Sequence, residues 1–144
     1  MQKKITSFAI CLTVFLALHY TWTQWAADGI YSRALEPYAT AGFSAVWFMV
    51  FGLFFTAGLV WLALFSGDKR AGMGKSLLRA GIYGLAIFGL SNIRNLQLFS
   101  DWQLGISIID TVWGVVVATT SVALTIIILE KLNEKKIGAR HRSD

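Results

Sequence analysis

Residues Gln103–Leu129 read QLGISIIDTVWGVVVATTSVALTIIIL, a run in which Asp110 is the single charged side chain. As an α-helix this stretch would be about 40 Å long, against a bilayer hydrocarbon core of about 30 Å. Its Val, Ile and Thr content would favour strand in water. A chain surrounded by lipid must instead satisfy every backbone N–H and C=O from within, and a lone segment does so only as a helix. The stretch therefore reads as a membrane-spanning helix carrying one carboxylate.

The rest of the chain follows the same pattern. Ile5–Trp25 and Ala39–Phe65 carry no charge, and Leu77–Leu98 is charged only at Arg79 and Arg94, which are placed to snorkel toward opposite interfaces. Four spans result, at about 5–25, 39–65, 77–98 and 103–129, followed by a basic tail at 130–144. Of the 144 residues, 56% are hydrophobic and 15% charged, where a soluble domain carries about 25% charge. The mean hydropathy of +0.58 points the same way. The fold class is an all-α integral membrane four-helix bundle forming a single membrane domain.

Basic residues set the orientation, because cytoplasmic segments carry the excess. Lys3 and Lys4 precede the first span, Lys69, Arg70, Lys75 and Arg79 surround the second loop, and Lys131, Lys135, Lys136, Arg140 and Arg142 follow the fourth span. Arg33 and Arg94 alone fall on the other side. Both termini are thus expected in the cytoplasm of a bacterium, with the chain in its inner membrane. Trp22, Trp25, Tyr31, Tyr38 and Trp102 would form an aromatic belt at the outer interface, and Pro37 suits the start of the second helix. A signal peptide is the rival reading of the first span. The apolar run, however, continues into His19, Tyr20, Trp22 and Trp25, and Gln24 stands where a small residue should precede a cut after Ala26.

The inventory excludes several chemistries. One cysteine, Cys11, allows no disulfide within the chain and no cysteine-pair redox centre. Two histidines, His19 in the first span and His141 in the tail, cannot ligate a haem or a di-iron centre within one chain. No cofactor or metal is expected. Nucleic-acid binding is not expected either, since the net charge of +5 is committed to topology. The basic tail is suited to anionic headgroups, but its role as a topology anchor alone accounts for its charge.

Polar residues at membrane depth are costly and so point to function. Counted inward at 1.5 Å per residue, His19, Asn92, Arg94, Asn95 and Asp110 all lie within about 5–10 Å of the outer boundary. At 100° per residue, Ser107, Asp110, Gly114, Ala118, Ser121 and Thr125 share one stripe of the fourth span. Gly81, Gly84, Phe88, Ser91, Asn92 and Asn95 share one on the third, with Arg94 on its flank. About five residues join these helices, so they should be antiparallel neighbours. Asp110 is then expected to meet Asn92 or Asn95, with Arg94 or His19 as charge partner. Without a cation beside it Asp110 would be a protonatable site; with one it would stay ionised.

His19 and Trp22, Ile30 and Tyr31, Asn95-Leu96, Trp102, and Asp110-Thr-Val-Trp113-Gly114 resemble the pattern of the small four-helix bacterial membrane proteins grouped as domain of unknown function family 2177. The spacing agrees over most of the chain. His19 stands where that family has an acid, Asn92 replaces a second acid, Arg94 a threonine and Gln103 a proline. The resemblance implies fold and location, adds Trp113 to the candidate residues, and supplies no reaction.

The candidate binding cluster is thus Asp110, Arg94, His19, Asn92, Asn95 and Trp113, against the rival reading that these groups only hold the helices together while Arg94 snorkels to headgroups. The leading expectation is a non-enzymatic accessory or binding component whose outer-leaflet polar pocket contacts membrane lipid or a protein partner. The alternative is an oligomeric transporter or channel subunit with Asp110 and Arg94 on the pathway. Enzymatic lipid modification ranks last, because no nucleophile and base pair stands out.

Overall fold

The computed structural model describes residues 2–26, 44–66, 72–100 and 102–140. Helix α1 (Gln2–Ala26) is followed by α2 (Ala45–Val60), which runs directly into a π-helical turn (Trp61–Phe65). Then come α3 (Met73–Leu98) and α4 (Leu104–Arg140). Among the described residues there is no strand, and all four helices, α2 taken with its π-turn, are long and apolar enough to cross a membrane. The expected all-α bundle is what forms. Residues 39–43 of the second span, with Pro37, Tyr31 and Tyr38, lie outside the described residues. Helix α3 starts four residues before the expected span, and α4 continues past Leu129 so that most of the basic tail is helical.

Helix α1 packs against α2 and α4, and α3 packs against α4 and against the π-turn of α2. The ends of the bundle are distinct. At the turn end lie Ala26, Leu98 and Leu104; at the tail end lie Lys3, Phe65, Met73 and Leu132.

The α3–α4 seam is built on small residues. Ser76, Ala80, Gly84, Phe88 and Asn92, each four residues from the next, are all buried. Gly114 and Ala118 of α4 lie against Gly84, and Ser107, Val117, Ser121 and Thr125 of that helix are buried as well. A Cβ at Gly84 would sit 2.8 Å from the Gly114 carbonyl carbon and 2.9 Å from the Ala118 Cβ, so the backbones approach as only glycine allows. Lipid tails are as apolar as leucine, so such close packing, rather than escape from water, holds membrane helices together.

Several hydroxyls are satisfied within their own helix, whereas those of Thr56 and Ser121 are buried without a partner. Ser7, Thr13, Thr21, Thr119 and Thr125 each donate to the carbonyl four residues earlier, at 2.7–2.9 Å. Arg79 is likewise accounted for at the tail end. Its guanidinium donates to the Ser66 carbonyl just past the π-turn, where a helix C-terminus leaves acceptors unpaired and favours a cation.

Candidate functional site

The turn between α3 and α4 spans five residues, as the spacing predicts. The Phe99 N–H donates to the Asn95 carbonyl at 2.9 Å and the Trp102 N–H to the Phe99 carbonyl at 3.1 Å. The Trp102 indole then donates to Ser107 Oγ at 2.9 Å. This closure brings the first turns of α4 back beside the last turns of α3. Asn92 consequently lies opposite Asp110, and its Nδ2 donates to Asp110 Oδ2 at 2.8 Å and to the Phe88 carbonyl at 2.9 Å. Asn92 is 2% exposed, and its Oδ1 is buried without a hydrogen-bond partner. A buried acceptor left open in this way costs about 1–3 kcal/mol.

The remaining stripe residues sort by rotation. Four residues advance a helix by about 400°, so a seam made of every fourth residue drifts about 40° per step. By the level of Asn92 it has turned past Ser91, which is exposed, and has left Asn95 half-buried. Ser91 therefore does not belong to the packed stripe. Arg94 is exposed on the flank of α3.

His19 occupies a separate compartment of the same turn-end half. The α1 residues Ser7, Cys11 and Phe15 are buried at intervals of four, and His19 continues that series. Its imidazole stacks with Phe15 at 5.2 Å and Phe48 at 5.6 Å between centroids and meets the edge of Phe88 at 5.8 Å. Trp113 Nε1 donates to His19 Nδ1 at 3.3 Å, which requires the tautomer protonated on Nε2. Trp22 lies parallel to Trp113 at 4.5 Å. Trp113 is thus the hydrogen-bonding partner of His19. Phe88 joins the two compartments, because its ring touches His19 and its carbonyl accepts from Asn92. The aromatic enclosure was not read from the sequence, although Phe48, Phe51 and Phe55 at i, i+3 and i+7 of α2 carried its signal.

Beside Asn92 an apolar groove of about 580 Å³ opens between α3 and α4, bounded by Leu85, Gly89, Leu96, Leu104, Ile108 and Val112. Asn92, Ser107 and Thr111 contribute to its walls. From Leu85 to Leu96 it follows about 16 Å of helix. Among the described residues, no cluster of three or more His, Cys, Asp or Glu side chains is placed to hold a metal ion. The arrangement offers a carboxylate–carboxamide pair at the edge of an apolar channel.

The family described as "Predicted membrane protein (DUF2177)" matches over residues 4–127. That match takes in α2 and α3 whole, nearly all of α1 and the first two thirds of α4. No curated protein and no solved structure matches the chain.

Proposed function

The chain belongs to DUF2177, a family of predicted membrane proteins, and from that premise we propose that it is a non-enzymatic lipid-binding component of the bacterial inner membrane. Both termini face the cytoplasm in this reading, as the eleven basic residues on one side require. The turn end then lies in the outer leaflet, and the α3–α4 groove takes one acyl chain of a lipid there.

The groove's length carries the reading. About 16 Å of helix is close to half of a hydrocarbon core of about 30 Å, so the channel suits a chain from one leaflet. Its bounding side chains Leu85, Leu96, Leu104, Ile108 and Val112 are apolar.

Gly89 provides the test. A Cβ there meets only Thr111 Cγ2, at 3.6 Å, so a side chain can be started at this wall position, and Gly89→Phe adds a ring beside the groove. Protein purified in mild detergent from bacterial membranes is expected to retain lipid by native mass spectrometry, and Gly89→Phe to retain fewer lipid molecules per chain. Equal lipid retention by the folded variant would remove the groove from the proposal. Flux through reconstituted liposomes that disappears in Asp110→Asn would favour the transporter alternative instead.

A further inference from the structure

The tail end holds a second cavity of different chemistry. Lys3, Thr6 and Ser7 of α1, Phe65 of the π-turn, and Leu132 and Asn133 of α4 bound about 640 Å³. Its lining is mixed, with Lys3, Thr6 and Asn133 polar and Phe65 and Leu132 apolar. Such a lining suits an amphiphile. It suits neither a bare ion, which has no use for the apolar residues, nor a hydrocarbon, which would leave the polar ones unmet.

Charge selects the kind of amphiphile. Lys3 borders the cavity directly. Lys4 is held at its edge, because its Nζ lies 5.5 Å from the Trp61 ring centroid and 5.4 Å from that of Phe65, itself a wall residue. The π-helical turn supplies both rings. One turn deeper along α1, a second groove of about 330 Å³ is bounded by Ala9, Ile10, Thr13 and Val14 together with Ile128 of α4. From Lys3 to Val14 the rise is about 16 Å, again close to one leaflet.

We propose that the tail end of the bundle is a binding site for one anionic phospholipid, its phosphate held by Lys3 and Lys4 and one acyl chain laid along the α1–α4 seam. The site is independent of the α3–α4 groove, so either can fail without the other. It also does not depend on which side of the membrane the termini occupy.

The test uses the full chain in a neutral detergent, with binding read by native mass spectrometry. The probes are phosphatidylglycerol, phosphatidylcholine with the same acyl chains, and inorganic phosphate. Phosphatidylglycerol is expected to bind roughly thirtyfold more tightly than phosphatidylcholine, from two basic residues near an anionic headgroup. The double substitution Lys3→Gln/Lys4→Gln should abolish that preference, and Lys3→Arg/Lys4→Arg should restore it in a chain with the same melting curve. Lys131→Gln/Lys135→Gln removes the same charge from exposed positions of α4 and should preserve the preference. Ile10→Trp, which blocks the seam, should weaken both lipids together. The proposal is overturned if Lys131→Gln/Lys135→Gln loses the preference as fully as Lys3→Gln/Lys4→Gln, since the attraction is then diffuse. It is overturned equally if the two lipids bind alike, or if inorganic phosphate alone displaces bound phosphatidylglycerol while Ile10→Trp has no effect.

Discussion

Replacing Gly84 with alanine tests whether close backbone approach holds α3 against α4. The added Cβ would collide with the Gly114 carbonyl oxygen and lie 2.8 Å from its carbon, short of the 3.4 Å at which ordinary contact begins. Neither side can yield by rotating a side chain, because the obstacles are backbone and the Cβ of Ala118. The helices must therefore part. A gap of that order forfeits about a quarter of the dispersion well for each contact across it, and overpacking of this kind costs typically 1–3 kcal/mol. Alanine returns about 0.8–1 kcal/mol of helix propensity, leaving a net loss of up to about 2 kcal/mol. Gly89→Ala is the control on the same helix. Its Cβ meets only Thr111 Cγ2 at 3.6 Å, so it should be neutral or slightly stabilising. Denaturation in detergent micelles followed by helical circular dichroism measures both. If Gly84→Ala is as stable as Gly89→Ala, the seam does not rest on backbone proximity and the packing argument is wrong.

Three further outcomes follow from the same geometry. Asp110→Asn keeps an acceptor for the Asn92 amide, whereas Asp110→Leu removes it, so the leucine variant should be less stable by about 1–3 kcal/mol in the same denaturation assay. Trp113→Phe keeps a ring to stack on Trp22 but loses the N–H donated to His19; a cost of about 1 kcal/mol is expected, and no cost would show that the bond contributes nothing. Cys11 is fully buried, so a maleimide should label it only after denaturation, and rapid labelling of the native protein would contradict the packing of α1 into the bundle.

Much of this architecture is legible in the residues because lipid simplifies the folding problem. Where no water can satisfy backbone groups, an apolar run of sufficient length forms a helix whatever its intrinsic preference. The short link between Leu98 and Leu104 then forces α3 and α4 to be neighbours, and phase narrows the partner of Asp110 to Asn92 or Asn95, of which packing selects Asn92. Phase is less reliable further along the seam. Ser91 fits a stripe drawn at constant angle but not one that follows every fourth residue and drifts around the helix. The pairing of His19 was not legible either. Residues 19 and 113 are 94 positions apart, and an imidazole near the interface has several candidate partners until packing places one of them beside it.

What the sequence determined by itself was the number of spans, the helical class and the short list of polar residues at membrane depth, since hydrophobicity and length act locally and additively. Only the tertiary structure decided how those residues divide. Asn92 pairs with Asp110 beside an apolar groove, His19 with Trp113 inside an aromatic enclosure, and Lys3 borders a separate cavity with Lys4 at its edge. Those assignments depend on rotations of a few tens of degrees and on contacts a few ångströms long between distant parts of the chain. The Asn92–Asp110 pairing, for one, needs the close approach of α3 and α4 that Gly84 and Gly114 allow.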